Sequence, residues 1–282
     1  MGTTKLDSVD GFTYVDVVDA PRVIGPLRCA KKVLPRTTID LSRHVTYALA
    51  VHGLDGAGAA AALNHDRSDE PDPIPAFIEE VTSWSSNENF GAHTGLGLSD
   101  EEIGGLLVRP AGATFDGLIA ATAVASAGDL TNASVVIASN RDEEELIGQL
   151  SSDNVTIIED LATALATPSD VLFVRSGTGA LHHEIVADTS ARKIVGLQAL
   201  TITARGLAVA SRAGAVVVPD FVSAAGPYLA AFGIDDPATA TSEAMRALDD
   251  TTSDLFVNAC VHAEAHLRTW ADSLPFGRPL AP

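Results

Sequence analysis

Lysine is scarce in this sequence. Among 282 residues the 18 basic ones include only Lys5, Lys31, Lys32 and Lys193 as lysines, against 37 acids, for a formal net charge of −19. A surface of that sign repels phosphate backbones and anionic headgroups, so nucleic-acid and membrane-surface partners are excluded. Cysteine is nearly absent: Cys29 and Cys260 make no disulfide framework. No apolar run reaches bilayer length. The start, MGTTKLDSVDGF, lacks a basic-then-apolar signal pattern. The expected setting is therefore the cytoplasm. Aromatics are down to 5%. With abundant Ala, Val, Asp and Thr, that suits a high-GC genome or a mildly salt-adapted one. The length allows two medium domains or one large one, with a sizeable core.

Several elements can be read from what is present. Residues 12–18 (FTYVDVV) alternate as a strand, and a second strand is expected around Arg28–Leu34. From Thr38 to His52, apolar residues recur at helical spacing. The small-residue stretch 53–62 (GLDGAGAAAA) permits close backbone packing. Residues 64–75 read as a loop and 76–84 as a short helix. A loop rich in Ser, Asn and Gly ends in AHTGLG at 92–97, and Ser99 to Glu102 open a helix as a capping box. Beyond Pro110 a small-residue helix spans 114–127. Short β-branched runs then follow at 135–137, 155–158, 171–174, 194–195 and 216–218, separated by helical or turn material. Continuous apolar strands alternating with helices indicate a parallel sheet covered on both faces. Residues 238–272 are helical.

Such a sheet calls for a G-x-G-x-x-G turn after its first strand. Strand 135–138 is instead followed by Ser139, Asn140, Arg141 and the four acids Asp142 to Glu145. The glycines are absent, side chains block the close approach of a backbone, and the acids oppose a pyrophosphate. The same acids suit a helix N-terminus in its own right. The turn carries no fingerprint for a dinucleotide, and no acid is clearly placed for a ribose. No cofactor is expected, with NAD(P) disfavoured, and no metal.

Three stretches nevertheless resemble the glutamate/leucine/phenylalanine/valine dehydrogenase family. Residues 25–35 (GPLRCAKKVLP) are similar to its G-P-x-K-G-G-x-R-x-x-P segment. Residues 46–63 (TYALAVHGLDGAGAAAAL) are similar to its T-[YW]-K-N-A…G-L-P-F-G-G-A-K-G-G-I segment. Residues 214–228 (GAVVVPDFVSAAGPY) are similar to its G-I-x-V-x-P-D-x-x-x-N-A-G-G segment. Weaker support comes from the stretches beginning at Asp170 and Arg192, and all five fall in the family's order. The resemblance implies an α/β fold of two domains: an N-terminal α/β dimerisation-type domain (1–112) and a shortened Rossmann-like parallel-sheet domain (113–237). Helices at 238–282 would return to the first domain. It also implies a homodimer or larger homo-oligomer.

The departures bear on chemistry. The family's substrate-carboxylate lysine becomes Arg28, a further pocket lysine becomes Ala48, and the catalytic lysine becomes Ala60. Its proton-transfer aspartate falls at His93, and its two asparagines become Ala224 and Gln198. Were the fold kept, a cleft between the domains would hold Arg28, Lys32, His52, Asp55, His65, His93, Thr114 and Asp116. In this reading Arg28, Lys32, His52 and Thr114 bind substrate, while His93 and Asp55 are the catalytic candidates. Arg28 can pair bidentately with a carboxylate, and a histidine near neutral pH can act as acid or base. The alternative is a decayed pocket whose polar groups satisfy one another, with His52 a core or solvent residue. His262 and His266 share a helix face, but Glu264 lies off it, so a solvated surface is the simpler reading than a zinc site. His182, His183 and Glu184 could face a ligand or merely cap a turn. Cys29, beside Arg28 and Lys31, could have a lowered thiol pKa.

The expected function is that of a diverged, amino-acid-dehydrogenase-like enzyme, which binds a small amino acid or 2-oxo acid and is repurposed for non-redox chemistry. Two alternatives stay open: a non-catalytic pseudoenzyme acting as subunit or regulator, and an NAD(P)-dependent amino-acid oxidoreductase with an atypical cofactor site.

Overall fold

The periodicities described above are realised in a computed structural model of the chain, which describes residues 3–68, 71–248 and 254–274. The chain divides into two compact units. Unit 1 comprises 1–112, 227–233 and 263–282, and unit 2 comprises 113–226 and 234–262.

Unit 1 is built on five strands: β1 (Thr4–Lys5), β2 (Gly11–Val15), β3 (Val23–Ala30), β4 (Ala57–Asn64) and β5 (Phe90–Leu96). Their order is β1-β2-β4-β3-β5, with β2 antiparallel to β4 and β3 parallel to both β4 and β5. Helix α1 (Pro35–Val51) precedes β4, helix α2 (Ile74–Glu88) precedes β5, and the single turn α3 (Asp100–Ile103) follows. The expected capping box at Ser99 and Glu102 is present.

Strand β4 was not legible as a strand, because its residues are almost all alanine or glycine. Its small side chains answer to crowding on both faces. Ala59, Ala61 and Leu63 pack in one core with Ile74, Phe77 and Val81 of α2. Because side chains alternate along a strand, Gly58, Ala60 and Ala62 project to the other side, toward α1. There a Cβ on Gly58 would sit 1.8 Å from the Ser42 carbonyl oxygen. Strand β5, expected as loop, is held by its ladder with β3, which is interrupted by a register shift at Gly25/Pro26.

Unit 2 carries the predicted parallel sheet: β6 (Val135–Ala138), β7 (Val155–Ile158), β8 (Ser169–Val174), β9 (Ala191–Gly196) and β10 (Val216–Val218). All four pairings are parallel, in the order β10-β9-β8-β6-β7. Helix α4 (Phe115–Ala127) precedes β6, helices α5 (Glu144–Ile147), α6 (Leu161–Ala166) and α7 (Ala204–Arg212) lie between strands, a 3-10 turn at Ile185–Asp188 lies between β8 and β9, and α8 (Asp220–Ser223) follows β10. The central strands are buried on both faces, which is why they read as unbroken apolar runs. In a doubly wound fold ordered 3-2-1-4-5-6, β6 takes first place and β7 second. Among the described residues no strand stands in third place beyond β7. The chain ends in α9 (Gly226–Ala231), α10 (Pro237–Leu248) and α11 (Leu255–Ala271). No helix among the described residues is long and apolar enough to cross a membrane.

Candidate functional site

In unit 1 the candidate residues gather on the α1 face of the sheet. Register places Ala60 opposite Tyr14, and Ala62 between Phe12 and Arg28. Arg28 and Ala60 therefore share a face. Arg28 is half-buried on β3, and among the described residues its side chain makes no hydrogen bond or ion pair.

His93 lies on β5 at the register shift and is 3% exposed. Its ring meets Tyr228 edge-on at 4.5 Å, and His44 of α1 meets the same tyrosine at 5.7 Å. Ala48, fully buried, stands one helical turn beyond His44 on the same side of α1. Of the positions that carry lysines in the resembling family, Ala48 thus borders a packed cluster of rings. Burial lowers the His93 pKa to about 3; nearby His44 lowers it further, while the Gly25 backbone opposes. The expectation of an acid/base titrating near neutral pH does not hold for this ring: burial among packed groups disfavours its charged form.

The remaining candidates disperse. His52 is the residue after α1, with Nδ1 2.6 Å from the Ala48 carbonyl oxygen, and burial pushes its pKa down to about 4. Asp55 is exposed and stands 3.1 Å from His266 of α11, while Tyr47 donates to Glu264 of the same helix at 3.0 Å. Those contacts tie down the helix that carries His262, Glu264 and His266. Lys32 is exposed. His65 is buried, 3.7 Å from Asp72. Cys29 corrects the expected activated thiol: burial is the largest influence and raises its pKa, outweighing the Arg67 charge. A carboxylate missed by sequence reading, Asp16, lies buried at the end of β2. It accepts from the Tyr14 hydroxyl at 3.1 Å and has the Arg43 guanidinium 3.7 Å away. Burial raises its pKa to about 6 despite those partners. Among the described residues no cluster of three or more His, Cys, Asp and Glu could hold a metal ion.

In unit 2, Thr114 is the N-cap of α4, accepting from the Gly117 N–H at 3.0 Å and donating to Glu145 at 2.9 Å. Its hydroxyl is committed to the helix start. His182, half-buried, is 3.9 Å from Glu184. The important geometry lies at the C-terminal ends of β6 and β8, the switch point where open α/β sheets bind ligands. Parallel register brings Ala138 beside Val174, so Ser139 and Arg175 emerge together. Arg175, with its side chain 5% exposed, reaches the Glu143 carboxylate at 2.5 Å and Asp116 at 2.9 Å. Ser139 donates to the same Glu143 oxygen at 2.6 Å, and the Arg141 N–H donates to Ser139 Oγ at 3.1 Å. Of the four acids only Glu143 turns inward. A buried ion-pair network thus fills the turn that glycines leave open in a dinucleotide fold.

Beside the network lies a cavity of about 210 Å³ lined by Ala138, Asn140, Glu159, Leu161, Arg175, Ser176 and Gly177. Glu159 directly follows β7, the second strand. That is the place from which an acid reaches ribose hydroxyls, and it lies 20 residues beyond Ser139. Counting that interval along the sequence would have found it. An acid thus follows the second strand, where the sequence alone showed none clearly placed.

No protein-family model matches the chain, and no curated protein matches it. Solved structures do. A hetero-hexameric glutamate dehydrogenase from Thermus thermophilus, in a leucine-bound form, is 15% identical with a TM-score of 0.70, over 90% of this chain and 84% of that one. The L-tryptophan dehydrogenase of Nostoc punctiforme is 14% identical with a TM-score of 0.69, over 94% of each chain. Plasmodium falciparum glutamate dehydrogenase is 11% identical, also at 0.69, over 93% and 78%. The chain therefore has the two-domain α/β fold of the amino-acid dehydrogenases.

Proposed function

We propose that the chain is a re-tooled member of this fold that binds a small amino acid or 2-oxo acid through Arg28 and does not carry out NAD-linked deamination. The carrying observation is Arg28 itself: a half-buried guanidinium on the sheet face, with no carboxylate or hydrogen-bond acceptor engaged among the described residues. A partly desolvated cation without a counter-ion is costly, and a ligand carboxylate gives it a bidentate partner. The reading against hydride transfer rests on Ala48 and Ala60 in place of lysines and on the Arg175–Glu143–Ser139 network at the cofactor turn. A pyrophosphate there would have to displace a buried ion pair and meet further carboxylates. A homodimer or larger homo-oligomer belongs to the proposal, as does a cytoplasmic setting.

The test is a thermal-shift panel of 2-oxoglutarate, 2-oxoisocaproate, L-glutamate, L-leucine, NAD(H) and NADP(H). A shift with an oxo or amino acid that is lost in Arg28→Ala is expected, with at least a tenfold weakening. A shift of equal size in the variant, or stabilisation by a dinucleotide, overturns the reading. A second reading, a non-catalytic subunit or regulator, is favoured by the dry packing of His93, His44 and Tyr228. No shift with any compound, together with co-purification of another protein, would select it.

A further inference from the structure

Helix α11 is buried along Leu255, Ala259, Ala263, Leu267 and Trp270 and exposed along its opposite side. On that outer side Val257 and Val261 stand one turn apart. At 56% and 62% they are the two most exposed large apolar residues among those described. Ala265, also exposed, continues the row by one more turn. Asp254 stands just before the helix and Arg268 in its last turn, both exposed. At 3.6 residues per turn, Asp254, Val257, Ala265 and Arg268 all lie within about 40° of Val261 around the axis. The outer face is thus an apolar row with an acid at one end and a base at the other, spaced evenly about Val261. Apolar residues scattered singly are ordinary on a surface, whereas a continuous row rimmed by charge marks an interaction site.

From this symmetry we propose that α11 docks on α11 of a second copy of the chain, antiparallel about a two-fold axis at Val261. Every contact in such a pair occurs twice. Val261 meets its own counterpart, Val257 meets the second copy's Ala265, and Asp254 faces the second copy's Arg268 at both ends. The parallel alternative sets acid against acid and base against base, and is repelled. Antiparallel packing also brings each helix start beside the other helix's end, which suits their dipoles. Arg268 is 73% exposed and stands 3.6 Å from Glu264 of its own helix, so its guanidinium has room for a second carboxylate. A contact of one helix length falls short of the roughly 1,200 Å² that a stable interface buries, so the association is reversible. The inference names a contacting surface for the homo-oligomer included in the proposed function, and it does not depend on Arg28.

Sedimentation velocity of the full chain over a concentration series tests it. Salt at about 0.15 M screens the net charge of −19 beyond about 8 Å. The parent is expected to associate as its concentration rises. Val261→Glu sets two carboxylates face to face at the axis and should weaken that step roughly tenfold or more. Asp254→Arg and Arg268→Asp, each alone, juxtapose like charges and should also weaken it. Mixing those two variants restores opposite charges at both ends and should bring the association back. All three positions are exposed, so each variant should keep the parent's melting temperature. Undiminished association in Val261→Glu overturns the inference alone and leaves the homo-oligomer to another surface. Failure of the mixed variants to recover does the same. A parent that stays monomeric throughout overturns this inference and the homo-oligomer together, while ligand binding through Arg28 is untouched.

Discussion

The two units differ from the resembling family's sequence pattern in opposite ways. In unit 1 two positions that align with lysines of the resembling family hold the small residues Ala48 and Ala60, and Ala48 stands one turn from the packed rings of His44, Tyr228 and His93. In unit 2 the corresponding turn has gained charge: Arg175, Glu143 and Asp116 form a network where a bare glycine loop is needed. One region is closed by packed rings, and the other by paired charges. Truncating a packed ring loses its burial and leaves a cavity. Truncating one partner of a buried ion pair strands the other, because each depends on the other to offset its desolvation.

The largest expected effect follows from that asymmetry. Arg175→Ala strands Glu143 without its counter-charge and should destabilise the protein by about 3–5 kcal/mol, read by urea unfolding. A loss near zero would mean that the network is not what closes the turn. Next is the pH dependence of unit 1. His93 and His52, with folded pKa values of about 3 and about 4, bind fewer protons folded than unfolded below pH 6.5. They therefore contribute stability at neutral pH that is lost as pH falls from 6.5 toward 4. Asp16 works the other way: with a folded pKa of about 6, raised from 3.8, it favours the folded state at low pH and loses that advantage as pH rises from 4 to 6. The two histidine shifts together exceed the carboxyl shift, so net stability should fall on acidification. His93→Phe, which keeps the ring packing, should flatten the slope below pH 6.5. An unchanged slope would show that the cluster is hydrated. Asp16→Asn should gain on the order of 3 kcal/mol relative to the parent at pH 7 compared with pH 4.

Two smaller substitutions sharpen the contrast further. Gly58→Ala forces α1 away from β4 and should cost about 1–3 kcal/mol, as overpacking does. A neutral result would mean that the helix can retreat freely over the sheet face. Thr114→Ala should cost about 1 kcal/mol through the lost α4 cap, with no change in oxo-acid affinity. A large loss of affinity would restore Thr114 as a ligand contact.

What could be read from the sequence follows the physics of each element. The central strands β6, β8 and β9 were legible because burial on both faces demands unbroken apolar runs, and β7 and β10 at the two rims were legible from their β-branched residues. Strand β4 was not: its alanines answer to the closeness of α1 and α2, a pressure that leaves no two-residue alternation. Strand β5 was hidden by its glycines, Gly91 and Gly95, and is recognisable only from its ladder with β3. Among candidate residues, Arg28 was found through its place in a motif. The pairing of Arg175 with Glu143, 32 residues apart, depends on parallel register and could not be seen in a linear chain. Glu159 could have been found by counting from Ser139. Burial decided the rest: it turned His93 from an expected proton carrier into a packing group and Cys29 from an activated thiol into a protected one.

The absence of a third-place strand among the described residues has a mechanical consequence for β7. That strand is the rim of its sheet, and Ile157 on it is 49% exposed. Four residues of backbone on such a rim are a template onto which another extended segment can zip. The acids flanking it, Asp153, Glu159 and Asp160, set like charges at both ends of that template. Their guard is electrostatic, so it weakens as ionic strength rises and the screening length shrinks to about 3 Å at 1 M salt. The edge of the sheet is therefore guarded by charge in dilute salt and left open where salt is concentrated.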